Sequence, residues 1–105
     1  VSENKTLAHP ASIDSIPSSA NQEDHVSMAT FAGNKLKQIV KNTQTIIAIE
    51  FIVASQALDI FQASQSLPSE LETIYRKIRQ SFDFYQDDRP LFQYIDAARK
   101  MFFES

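Results

Sequence analysis

Ile46-Ile47-Ala48-Ile49-Glu50-Phe51-Ile52-Val53-Ala54-Ser55-Gln56-Ala57-Leu58-Asp59-Ile60-Phe61 decides the fold of this chain. Its apolar positions recur every three or four residues and continue the spacing of Leu36, Ile39 and Val40 upstream, which is the period of a helix. Around residues 46–53 the apolar side chains wrap most of the circumference, so the helix must be buried on several sides. It cannot stand alone in water, and its natural setting is the interior of a bundle. Glu50, Ser55, Gln56 and Asp59 interrupt the run and leave it too polar and too short for a membrane span.

Upstream, helix-permissive sequence reaches back to about residue 21 and forward to about residue 62, ~60 Å if continuous. Gly33 is its weak point, where a short first helix can separate from the long one. Residues 1–18 hold Pro10 and Pro17 among Ser, Asn and Asp without a sustained period, which reads as a loop or extended arm. Downstream, Ser66-Leu67-Pro68 offers a cap followed by a first-turn proline, and Leu71, Ile74, Tyr75, Ile78 and Phe82 form an apolar stripe. After a loop at 83–88, Asp88-Arg89-Pro90 opens a last helix that turns Leu91, Ile95, Ala98, Met101 and Phe102 to a core. No useful strand alternation and no internal repeat occur. The reading is all-α: an arm at 1–18, then a helical segment at 19–105 with one long helix and shorter C-terminal helices, a fragment of a helical-bundle protein.

Composition narrows the function classes. A 105-residue chain makes one small domain at most, and 43% hydrophobic content argues against disorder. One Gly and four Pro favour long helices over a turn-rich β fold. A net charge of −3 with ten scattered basic residues leaves no footprint for nucleic acid or anionic lipid. The absence of Cys removes disulfides and thiolate metal sites and is compatible with a reducing cytosol. The chain opens on Val1 without a leader pattern, as an excised or processed piece would.

Ser19-Ala20-Asn21-Gln22-Glu23-Asp24-His25-Val26-Ser27-Met28 gathers more polar and ionisable groups than helix initiation requires. Ser19-x-x-Gln22 and Asn21-x-x-Asp24 fit the capping-box pattern, and first-turn acids suit the positive end of a helix dipole. Spacing alone favours capping over a catalytic or ligand site.

The longer stretch Leu7-Ala8-His9-Pro10-Ala11-Ser12-Ile13-Asp14-Ser15-Ile16-Pro17-Ser18-Ser19-Ala20-Asn21-Gln22-Glu23-Asp24-His25-Val26-Ser27-Met28 resembles the C-terminal signature of the histidine ammonia-lyases. Ile47-Ala48-Ile49-Glu50 and Ala54-Ser55-Gln56-Ala57-Leu58-Asp59 resemble that family's following helix, and Asp87-Asp88-Arg89-Pro90-Leu91 its acidic-Arg element. The resemblance implies conversion of L-histidine to trans-urocanate and ammonia by a cytoplasmic homotetramer with a central helical bundle. It implies Glu23 as a catalytic and substrate-binding carboxylate that contacts the imidazole or assists proton removal, with Gln22 beside it. Aromatic lyases of the superfamily tend to carry an amide where Glu23 stands, so the acid favours histidine as substrate.

The family's cofactor is a methylidene-imidazolone made from an internal Ala-Ser-Gly, and no Ala-Ser-Gly occurs here. The cofactor would lie in the full-length parent, the rest of the subunit would be the partner, and this chain would be inactive alone. Helical neighbours point about 100° apart, so Glu23, Asp24 and His25 make a poor metal trio. His25 and His9 read as hydrogen-bonded structural residues, the serines as caps and turns. Asp87-Asp88-Arg89 reads as a solvated cap and ion-pair cluster, and the aromatics as core or interface. The rival class is a helical self-association module without a catalytic role. A segment of a phenylalanine or tyrosine ammonia-lyase, or of an aminomutase, differs from the first reading in substrate only.

Overall fold

The apolar run forms the core of a long helix, as its period requires. The computed structural model describes residues 1–104. Its four α-helices are α1 (Ser2–Leu7), α2 (Ala29–Ile60), α3 (Ser69–Ser81) and α4 (Phe92–Phe103). Among the described residues the one extended pairing outside the helices is an isolated antiparallel bridge, Ser18 to Glu23, so the fold is all-α. The chain divides into two units, Val1–Thr43 and Gln44–Ser105.

In the first unit, α1 stands where the prolines and polar residues suggested a loop or extended arm. Such a short helix is marginal by itself. Side chains from α2 hold it: the Asn42 amide donates to Glu3 Oε2 and to Asn4 Oδ1, both at 2.8 Å. A 3₁₀ turn at Ala11–Asp14 follows, with Ala11 buried. The long helix starts at Ala29, about eight residues later than its sequence period suggested, because the motif's backbone is engaged in a turn described below. It then runs unbroken through Gly33. One helical glycine costs about 1 kcal/mol, too little to break a helix with so many other bonds.

The second unit has its core where α2, α3 and α4 meet: Ala48, Ile52, Ile78, Phe82 and Ala98 are buried, with Phe51, Tyr94 and Phe102 packed against them. Ile52, only 1% exposed, gains about 1.5–3 kcal/mol from leaving water. Phe51 lies against Phe102 with ring centroids 4.6 Å apart. The helix α2 ends in a Schellman motif: the Gln62 N–H donates to Asp59 O at 3.0 Å and the Ala63 N–H to Leu58 O at 2.9 Å, with Gln62 left-handed at φ 53°.

Two starts differ from the sequence reading. Pro68, not Ser66, precedes α3 and its carbonyl accepts the Glu72 N–H; the Ser66 hydroxyl turns back to Ala63 O. The last helix begins at Phe92 rather than at Asp88-Arg89-Pro90, because Arg89 is drawn inward. Its guanidinium stacks over Tyr94, Tyr85 and Phe82 at 4.7, 5.2 and 5.3 Å and donates to Asp83 O at 2.9 Å. It is therefore a cation among rings and not part of a solvated cluster with Asp87 and Asp88, which are exposed.

The two shorter helices of this unit, α3 and α4, do not cover α2. Ile49, Val53 and Phe61 stay 41%, 55% and 79% exposed. A hollow of about 420 Å³ beside them is lined by apolar groups including Phe51, Leu58, Leu71 and Ile74. By length and composition α2 would suffice to cross a membrane, since the helix is longer than the 46–61 run. Two polar groups near its C-terminal end are paired within the unit. Gln56 donates to Tyr85 O at 2.6 Å, and Asp59 pairs with Arg79 at 2.6 Å.

Candidate functional site

The motif is a clamped turn, not the first turn of a helix. Ser18 and Glu23 face each other across it, with the Ser18 N–H donating to Glu23 O at 2.9 Å and the Glu23 N–H to Ser18 O at 3.3 Å. Three residues further out on each side, the Val26 N–H donates to Ser15 Oγ at 2.7 Å. These bonds use backbone groups that a helix beginning near residue 21 would need, which is why α2 starts later.

Between the bridge residues, Ser19, Ala20 and Asn21 form a short 3₁₀ turn with φ of 54°, 55° and 67°. All three are left-handed, and none is glycine. Such a conformation costs about 1–2 kcal/mol per L-residue, so the bridge and the Ser15–Val26 bond must hold the turn against that strain. The turn brings Gln22 and Glu23 to the surface, both exposed. The Ser18 hydroxyl donates to Glu23 Oε2 at 3.1 Å.

Neither capping box forms, since Gln22 and Asp24 lie several residues before α2. Asp24 and His25 sit in irregular chain, so the helical argument for their divergence does not apply to them. The exposed His25 lines a shallow hollow of about 500 Å³ with Pro10, Ala11, Met28 and Ala32. His9 is exposed, and its carbonyl accepts the Lys35 ammonium.

Sequence reasoning missed Ser18, which it counted among ordinary turn serines. It also missed a polar network in the second unit. There the Tyr75 hydroxyl donates to Asp59 Oδ1, and Arg79 donates to Gln56 Oε1 at 3.4 Å and to Phe82 O at 2.9 Å while pairing with Asp59. The available signal was the helical spacing of Gln56 with Asp59 and of Tyr75 with Arg79, which places each pair on one face.

The chain does not contain the residues for the methylidene-imidazolone ring. Its single glycine, Gly33, follows Phe31-Ala32 inside α2, where a Cβ would meet nothing within 4 Å. Neither the tripeptide nor a close-packed backbone is present to make or hold the group.

By its fold and its site this is an all-α segment with uncovered apolar faces and a carboxylate held out on a strained turn. The chain belongs to the aromatic amino acid lyase family, whose profile matches residues 1–80. It is 48% identical over 104 residues to a histidine ammonia-lyase of Psychromonas ingrahamii, covering 99% of this chain and 20% of that protein. A histidine ammonia-lyase of Aliivibrio fischeri is 56% identical over 88 residues, 84% of this chain and 17% of that one. The chain thus spans about a fifth of the length of these relatives. Among solved structures, histidine ammonia-lyase from Trypanosoma cruzi matches with a TM-score of 0.83 at 39% identity, over 95% of this chain and 20% of that one. Tyrosine aminomutase from Streptomyces globisporus matches with a TM-score of 0.87 at 28% identity, over 95% and 19%.

Proposed function

We propose that this chain is the C-terminal part of a histidine ammonia-lyase and supplies Glu23, with Gln22 beside it, to the site that converts L-histidine to trans-urocanate and ammonia. The observation that carries the reading is the identity of 48–56% to histidine ammonia-lyases along a segment that includes Glu23. The tyrosine aminomutase, at 28%, is the more distant match, which supports histidine over a ring without nitrogen.

Glu23 acts as an acceptor for an imidazole N–H of the substrate, fixing the ring, or receives a proton during elimination. Gln22, adjacent on the turn, offers both an amide donor and an acceptor to the substrate's polar groups. In this chain Glu23 is open to water, which screens its charge and competes for its hydrogen bonds. The rest of the subunit, or a neighbouring one, must cover it before it can discriminate a substrate. That need, with the missing cofactor residues, supports inactivity of the chain alone. The parent is a cytoplasmic homotetramer in this reading, and the methylidene-imidazolone belongs to it. The uncovered faces of α2 equally favour self-association of the isolated chain.

The test uses the full-length parent enzyme with L-histidine, following urocanate by its ultraviolet absorbance. Glu23→Gln should lower turnover by about 10²–10⁴-fold with the assembly intact. Unchanged turnover would refute the role of Glu23. Absence of activity on histidine, with activity on phenylalanine or tyrosine, would move the chain to an aromatic lyase or aminomutase.

A further inference from the structure

Because no helix terminus presents Glu23, its orientation has to be set by the turn itself. Two kinds of contact do this. The paired backbone bonds to Ser18, at 2.9 and 3.3 Å, fix where the Glu23 side chain leaves the chain. The Ser18 hydroxyl then takes one carboxylate oxygen, Oε2, at 3.1 Å. Oε1 makes no hydrogen bond among the described residues, and Glu23 is an exposed residue. One oxygen is thereby held and the other is left for a ligand.

We propose that Ser18 is a positioning residue for Glu23 in the lyase reaction, acting through its hydroxyl on Oε2 so that Oε1 is presented to the substrate's imidazole. This rests on the reading of Glu23 as the active-site carboxylate. A glutamate side chain has three rotatable bonds, and a charge-assisted bond from a residue already locked to it by the backbone removes much of that freedom. The strained left-handed turn supports the same role: Ser19, Ala20 and Asn21 turn the chain so that Ser18 and Glu23 stand opposite each other.

The experiment uses the full-length enzyme with Ser18→Ala and Ser18→Thr, each made with Glu23 and with Glu23→Gln. Ser18→Ala should lower kcat about tenfold with KM little changed, as expected for loss of one charge-assisted bond that orients a reacting group. Ser18→Thr, which keeps the hydroxyl and suits the extended backbone of φ −131° and ψ 176°, should restore most of the rate. In the Glu23→Gln background, Ser18→Ala should cost nothing more. If Ser18→Ala is silent while Glu23→Gln is impaired, the positioning role is overturned and Glu23 stands. If Glu23→Gln is silent, the underlying reading fails first. Equal losses in both backgrounds, a Thr variant as slow as the Ala variant, or an unfolded Ser18→Ala enzyme would each assign Ser18 to the stability of the turn and overturn the proposal.

Discussion

Asp59→Asn should destabilise the 105-residue chain by about 1.5–3 kcal/mol, although the side chain barely changes in size. The magnitude follows from the surroundings of Arg79. Asp59 Oδ2 lies 2.6 Å from Arg79 Nη2, with side-chain exposures of 20% and 14%. Stranding a fully buried charge costs about 3–5 kcal/mol, whereas an exposed pair is worth less than about 1 kcal/mol. This pair falls between, because water still reaches part of it. Arg79 also keeps Phe82 O at 2.9 Å, Gln56 Oε1 at 3.4 Å and the rings of Tyr75 and Phe82 at 5.8 and 5.4 Å. Its Nε is buried without a hydrogen-bond partner among the described residues, so little reserve exists to absorb the loss.

The assay is urea unfolding at one fixed chain concentration, followed by far-ultraviolet circular dichroism. Arg79→Met and the double variant complete a cycle. The double variant should lose less than the sum of the single ones, since each single variant strands a charge that the double variant no longer carries. A loss below about 0.5 kcal/mol for Asp59→Asn, or additive single effects, would show the pair to be solvent-screened and refute the reasoning.

Two further outcomes are expected. The Asp96 carboxyl is held below its usual value of 3.8 by its hydrogen bond from Lys100 and then by that from Arg99. Its contribution to the helix end is therefore full above the ordinary carboxyl value and lost as pH falls through the lower folded value; the difference in urea midpoint between the natural chain and Asp96→Asn should shrink between about pH 6 and about pH 3. A constant difference would deny the linkage. Ile49, Val53 and Phe61, exposed together with the neighbouring apolar hollow, should drive the isolated chain to associate with itself, seen by sedimentation velocity as a weight-average mass rising with concentration. A single monomeric species over a hundredfold range of concentration, on the order of 1–100 μM, would refute this.

The parts of the fold legible in the sequence are those set by local period and burial. The spacing of Ile46 through Phe61 and of Leu71 through Phe82 gave helices that the structure contains, and the excess of apolar surface around Ile49 and Val53 is left uncovered as expected. Features decided by contacts distant in sequence were not legible. Nothing local announces that Asn42 would anchor a helix at Ser2–Leu7, or that Ser18 would pair with Glu23 and delay α2 to Ala29. Ser19 and Ala20 carry no signal for a left-handed turn, because neither side chain prefers it. Arg89 was misread for a related reason: two acids stand beside it in sequence, but three rings surround it in space. Glu23 and Gln22 were named as candidates from the family resemblance, since spacing alone favoured capping, while the pairing of Ser18 with Glu23 needed the geometry.

The polar and aromatic contacts of the second unit also determine what light can report about this protein. The chain has no Trp and three Tyr, at 75, 85 and 94, all within Gln44–Ser105. Tyr75 is bonded to Asp59, and Tyr85 and Tyr94 lie against the Arg89 guanidinium. Tyrosine emission therefore registers the loosening of these contacts and is blind to Val1–Thr43, where the Glu23 turn lies. Helical ellipticity sums both regions. Where the emission and ellipticity curves part during unfolding, the gap isolates the region that carries the clamp, without any label introduced into it.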